Sequence, residues 1–262
     1  MDFREIYLDT FSEIKKYITR EALIGLSKHN YDWHPDRYNM AEYLKKSAAK
    51  SERTYCFIKK KYPDKIKILD VGGFFGVFPV TLKKMGYEVA ITEKYAYYEG
   101  HFKPIMDYIK ANNIDIYDTD PVLSEVTLPQ KYDLITCIAV IEHLANSPKV
   151  LFSNFNKNLS EKGGLIIEVP NINYGYKIIE LLRGNNILPN IKAIYNSKTP
   201  FIGHHHEYTA KEMSWLLAKT GFDLKQLNTY NYSSTTGIHK FISNLLPKSY
   251  KEIIWIFSQK RG

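Results

Sequence analysis

Two acids flanking a set of glycines are the first residues whose spacing could do chemistry. In KIKILDVGGFFGVFPVTLKKMGYEVAITEK an apolar run ends at Asp70, glycines stand at 72, 73 and 76, a helix-like run passes through Leu82, and a second apolar run ends at Glu93. Glycines at a strand-to-helix turn let backbone approach a ligand, and the helix N-terminus adds amide dipoles. Glu93, 17 residues after Gly76, is placed to accept hydrogen bonds from two ribose hydroxyls. The pattern predicts a site for an adenosine-containing cofactor. A dinucleotide fits less well. Its pyrophosphate fingerprint wants G-x-G-x-x-G, whereas Phe74 and Phe75 interrupt these glycines. Asp70 would repel a pyrophosphate but could orient a cationic methionine-like moiety.

Histidines form the second set. His143 follows Glu142 where a helix is expected to start, and an imidazole titrating near 6.5 could take a proton from a substrate hydroxyl; capping or packing of that helix is the competing role. His204, His205 and His206 precede Glu207 and Tyr208. In a strand, adjacent residues alternate sides, so only His204 and His206 of the three could face one pocket. The triplet is expected to orient substrate or bind phosphate, against a plain role as a polar lid hinge. Tyr31, Trp33, His34, Arg37 and Tyr38 concentrate aromatic and basic groups in one N-terminal loop, as part of a cap or as surface packing.

These groups need elements to hold them. Residues 1–64 carry apolar positions at helical spacing, interrupted by the turn-forming HNYDWHPDRYN, which predicts two helical pieces. From residue 65 short apolar runs alternate with helical stretches: KIKILDV, YEVAIT, NIDIY, YDLITCI and GGLIIEV. Their blocky character suits parallel strands buried on both faces of a doubly wound α/β sheet. DLKQLNTYNY and EIIWIFSQ, separated by the helix-like HKFISNLLPKSY, could close the sheet. The expected organisation is an N-terminal helical cap over 1–64 and a domain over 65–262. Within that domain, 171–206 is long enough to be a substrate-binding insertion or lid.

With 44% apolar and 24% charged residues in 262, the chain has ordinary globular composition, against a disordered or membrane reading. Neither a secretion signal nor a membrane-length apolar run is visible, so a cytoplasmic location is expected. Cys56 and Cys137 have neither disulfide nor metal-knuckle spacing and are expected in the core. The charge of +8 gathers in Lys45, Lys46, Lys50, Arg53, Lys59, Lys60 and Lys61, expected mostly as a solvated face. Attraction of an anionic partner is the alternative.

ILDVGGFFG, VAITEK, YDLITCIAVIEHL, GGLIIEVPN and HHHEYTAKEMSWLLAKTGF, in that order, resemble the class I S-adenosylmethionine-dependent methyltransferases. The resemblance spans roughly residues 66 to 222 and implies a seven-stranded, mostly parallel sheet with helices on both faces, S-adenosyl-L-methionine as cofactor, and methyl transfer. It places Asp70, Gly72, Gly73, Phe74, Gly76, Glu93, Asp118, Cys137 and Ile138 around the cofactor, with Asp118, or else Asp120, on the adenine. Phe74 departs from the family's D-x-G-x-G-x-G at its middle glycine. The catalytic candidates are His143, His204, His205 and His206, His143 lying where the family places the mouth of the active site.

Some relatives hold a divalent metal through E-x-x-E-H and a later histidine. Ala139 stands at the first acid here, so no metal is expected. IIEVPN, the long insertion and HEYTAKEM are most similar to bacterial capsule and surface-polysaccharide enzymes. That implies O-methylation of a sugar or of a phosphate or phosphoramidate decoration, with a small polar acceptor, phosphorylated or nucleotide-linked. Alternatives are an RNA or other small-molecule methyltransferase, disfavoured by the lack of an appended RNA-binding motif, and a non-catalytic module that binds the cofactor.

Overall fold

The computed structural model describes every residue except 1, 99, 121–123 and 233–245. Its strands are β1 (Lys67–Val71), β2 (Glu88–Glu93), β3 (Asp115–Asp118), β4 (Tyr132–Ile138), β5 (Leu159–Pro170), β6 (Phe222–Tyr230) and β7 (Ile253–Lys260). They form one sheet in the order β3-β2-β1-β4-β5-β7-β6. β7 runs antiparallel to β5 and β6, whereas β1–β2, β2–β3 and β4–β5 are parallel. The seven runs read as strands are all strands. The stretch expected as a helix between the last two falls largely outside the described residues.

The chain divides into two compact units, one of residues 1–120 with Ile191–Ile202, the other of 121–190 with 203–262. The first unit holds more helices than the two pieces expected before the core: α1 (Phe3–Lys15), α2 (Arg20–Ser27), α3 (Met40–Lys46) and α4 (Ala48–Lys61). Thr19 and Asn39 each accept a hydrogen bond from a backbone N–H one turn on. The Thr19 cap starts a new helix where apolar spacing alone reads as continuous, Asn39 caps the helix that follows the expected turn, and the remaining break, between α3 and α4 at Ser47, has no side-chain cap. α1 buries Phe3, Ile6, Tyr7, Phe11 and Ile14, and packs against α4 and against α5 (Val77–Lys84). Cys56, expected in the core, is exposed. Its position on α4 shares the outer face with Arg53 and Lys60, at helical spacing from both. Lys50, expected among solvated lysines, is buried with its ammonium over the Tyr43 ring.

β2 and β3 are joined through a 3-10 turn, Tyr95–Tyr98, and α6 (Lys103–Ala111). α9 (Ile191–Asn196) and the residues after it are tied to the loop before α3. Tyr31 N donates to Ser197 Oγ at 2.9 Å, Ile202 N to His29 O at 2.9 Å, and Lys198 N to Lys28 O at 2.6 Å.

The second unit carries α7 (Lys149–Asn158), α8 (Gly175–Leu182) and α10 (Ala210–Lys219). α10 starts at a full capping box between Thr209 and Glu212, and its Met213, Leu216 and Leu217 are buried. β5 and β7 are almost wholly buried along Leu165–Val169 and Ile253–Phe257. Among the described residues no helix is long and apolar enough to cross a membrane.

Candidate active site

In the first unit the strand-to-helix turn has the conformation its glycines allow. Gly76 has φ 79, the left-handed region, and opens α5. Gly73 is required for a different reason: a Cβ there would lie 2.1 Å from Ile91 Cγ2 on β2. Phe74, at the position of the family's middle glycine, itself adopts φ 50. The turn therefore keeps a glycine-like path despite the side chain. The Phe74 ring lies 4.4 Å from that of Phe75, 6.0 Å from Trp33 and 6.2 Å from Tyr98, centroid to centroid. Trp33 of the N-terminal loop thus reaches the turn, while the Arg37 guanidinium sits 3.6 Å over the Tyr31 ring.

Glu93 ends β2, with Oε2 accepting from Phe74 N at 2.8 Å and Oε1 from Lys94 N at 2.9 Å. A carboxylate has about four acceptor positions; the amides of Phe74 and Lys94 and the Tyr98 hydroxyl occupy three of them, so a ribose hydroxyl would take the remaining one or displace Tyr98. Desolvation raises the Glu93 pKa, opposed by the amides of Phe74 and Lys94 and by Tyr98, with Asp118 adding to the rise. Asp118 ends β3 in register with Glu93 and accepts from Tyr95 N at 3.2 Å. Asp120 accepts from Tyr97 Oη at 3.2 Å. Asp70 is buried near the end of β1. Acceptor oxygens of Glu93 beside a turn built on Gly73 and Gly76 are features an adenosine-bearing group would need, an acceptor for ribose hydroxyls and room for backbone approach.

In the second unit β4 ends at Cys137 and Ile138, the former buried. Ala139 follows with φ 55, a left-handed alanine, and its N–H donates to Glu168 O at 2.9 Å. The bend leads into a 3-10 turn, Ile141–His143. His143 therefore ends this turn instead of starting a helix; α7 waits for Pro148, which stands at its N-cap. The histidine triplet is not a strand either. His205 N and His206 N both donate to Glu142 O, at 2.7 and 3.3 Å. That clasp fixes the segment without a strand ladder and cancels the expected alternation.

Of the four histidine candidates, two come together: the His143 and His204 rings lie 4.8 Å apart, edge to face. His206 instead turns to Glu212, 3.7 Å away, and to the Tyr208 ring, and His205 is exposed. Glu142, buried, joins the pair, and ligand-capable atoms of Glu142, His143 and His204 all lie within 4.8 Å of one another. One carboxylate and two imidazoles could accept a transition ion, whereas a hard cation would lack the second acid that Ala139 does not supply.

Three residues of this cluster were not singled out for a role from sequence. Glu207 accepts from His204 Nδ1 at 2.9 Å through Oε1, and its Oε2 receives the Lys177 ammonium. The Glu207 and Lys177 side chains are 6% and 19% exposed. Tyr208 is raised to about 12, chiefly by burial, then by Glu142. Burial, with His143, Lys177 and His205 nearby, holds His204 down to about 3, so its imidazole is neutral at neutral pH. Burial also brings Lys177 down to about 8, opposed by Glu252 and Glu142. A lysine at a helical position and a glutamate after a histidine run carry no spacing signal of their own.

A family profile described as a methyltransferase domain matches residues 36–227. The chain belongs to this methyltransferase family. Curated relatives of the methyltransferase include proteins named ubiquinone biosynthesis O-methyltransferase. That of Rickettsia akari (strain Hartford) is 24% identical over 66% of this chain and 64% of its own length. That of Rickettsia canadensis (strain McKiel) is 23% identical over 69% and 72%. The chain thus spans a little under two thirds of the first relative. Solved structures share the fold. One is magnesium protoporphyrin IX methyltransferase from Synechocystis PCC 6803 with bound SAH, with TM-score 0.56, 13% identity, and coverage of 85% of this chain and 88% of that one. Another is a SAM-dependent methyltransferase from Methanosarcina mazei, with TM-score 0.57, 15% identity, and coverage of 78% and 97%.

Proposed function

We propose that this methyltransferase uses S-adenosylmethionine to O-methylate a small acceptor at a hydroxyl group. The observation that carries the reading is His204, hydrogen-bonded to Glu207 at 2.9 Å with His143 beside it. A neutral hydroxyl must lose its proton as oxygen attacks carbon, and a positioned imidazole answers that need. An ionised phosphate oxygen would require only cations. Glu93 would hold the ribose, Asp118 the adenine, the turn at Gly72, Gly73, Phe74 and Gly76 would approach the cofactor through backbone, and Asp70 would orient its methionine end. Cys137 and Ile138 would contribute backbone at the end of β4. The cofactor, when bound, supplies a methyl group on a sulfonium. Alignment of acceptor, methyl and sulfur, with water excluded, is the protein's larger contribution.

The acceptor class read from sequence is a sugar, or a phosphate or phosphoramidate decoration, in surface-polysaccharide synthesis, with residues 171–206 binding it; of these, a positioned imidazole favours the sugar hydroxyl. Support for the insertion's role is that α8 brings Lys177 to the histidine pair's carboxylate. A phenolic acceptor is the second reading, favoured by the relatives named for ubiquinone synthesis and by exposed Tyr176, Leu181 and Leu182 on α8. The test has two parts. S-adenosylmethionine or its demethylated product should raise the melting temperature, since a ligand bound only by the native state stabilises it. Glu93→Ala should abolish most of that shift, and a full shift in the variant would place the ribose elsewhere. Transfer of labelled methyl to nucleotide sugars against catechols then separates the two acceptor classes.

A further inference from the structure

We infer that Glu207 is the positioning residue that fixes the tautomer of His204, and that Lys177 on α8 sets which way the group at 207 faces. The inference rests on the proposal that a hydroxyl is methylated, and it concerns how the base is presented.

The two oxygens of Glu207 are divided between two partners. Oε1 meets His204 Nδ1 at 2.9 Å, and Oε2 meets Lys177 Nζ. An ionised carboxylate only accepts, so the proton on His204 is held at Nδ1 and Nε2 keeps its lone pair. An ammonium only donates, so Lys177 requires an oxygen on its side of residue 207. The Glu207 side chain is almost fully covered, 6% exposed, and Lys177 is 19% exposed, which leaves little room for water to substitute for either partner. Glu207 is further pinned by position, one residue before the Tyr208 bridge to Asn171.

When the acceptor oxygen bonds to the methyl carbon, the carbon–sulfur bond breaks and its electron pair stays on sulfur. The hydroxyl proton passes to His204 Nε2, and the resulting imidazolium, which burial disfavours, depends for its stability on lying against the Glu207 carboxylate.

Glu207→Gln tests this arrangement because the amide is no longer symmetric. Lys177 captures the amide oxygen, which turns the NH2 group toward His204 Nδ1. His204 must then carry its proton on Nε2 and can no longer accept one there. In 15N-histidine-labelled protein, the His204 signals should show Nδ1–H in the wild type and Nε2–H in Glu207→Gln. The kcat should fall about a hundredfold or more, with KM for S-adenosylmethionine unchanged. Adding Lys177→Met frees the amide to turn its oxygen to Nδ1–H. The double variant should therefore return to the Nδ1–H tautomer and regain activity above that of Glu207→Gln alone. A wild-type tautomer in Glu207→Gln, or a double variant no better than the single one, would overturn the inference. The labelled spectra do not depend on turnover. The expected tautomers in a protein whose His204→Gln variant retains full kcat would support the positioning geometry while removing histidine-assisted hydroxyl methylation.

Discussion

At the residue scale, Lys177 gives the site a pH signature. Burial lowers its ammonium to about 8, against the upward pull of Glu252 and Glu142. Below that value it is charged and donates to Glu207; as pH rises through it the charge is lost and the pairing weakens. His204, neutral above about 3, adds no acid limb near the ordinary histidine value. kcat/KM should therefore fall with rising pH around 8, and the fall should vanish in Lys177→Arg, whose guanidinium stays charged. A fall that persists in that variant assigns the limb to another group. Turnover should also survive exhaustive chelation, because Ala139 puts no acid beside Glu142 and His143. Loss restored by magnesium or manganese alone would assign the cluster to a cation. Among these residues, His143 and His204 were legible because histidines are rare and titrate near neutrality. Glu207 and Lys177 were not, since their meaning lies in a contact 30 positions apart in the chain.

At the element scale, the strands were readable because buried parallel strands appear as short blocks of Ile, Leu and Val. The helical cap was less so: one break is set by the Thr19 side-chain cap, a single polar residue inside an otherwise continuous helical pattern, and another falls at Ser47 with no side-chain cap to mark it. The glycine turn shows a finer limit. Sequence gives all three glycines to the cofactor, but the space at Gly73 is filled by Ile91 from β2. Gly73→Ala should lower unfolding stability by about 1–3 kcal/mol, the usual scale of overpacking, measured by denaturant titration. A neutral effect would mean that Ile91 adopts another rotamer at little cost. The histidine triplet fails as a strand for a related reason. Two adjacent backbone donors are spent on one carbonyl, that of Glu142, and a ladder would have spread them over opposite edges.

At the scale of the whole molecule, composition and alternation were enough to indicate an α/β protein. The arrangement of the 171–206 segment was not contained in them. A run of that length can pack anywhere its ends reach, and its hydrogen bonds to Lys28, His29 and Tyr31 join positions more than 160 residues apart. Those bonds give the first unit a discontinuous make-up, residues 1–120 completed by Ile191–Ile202. A ribosome delivers the chain from one end only. β1, β2 and β3 are all available once residue 120 has emerged, but the loop at His29–Tyr31 must wait until residues 121–190 of the second unit have been made. Its backbone donor at Tyr31 and acceptors at Lys28 and His29 remain hydrated through that interval, so the order of synthesis and the order of assembly differ in this protein.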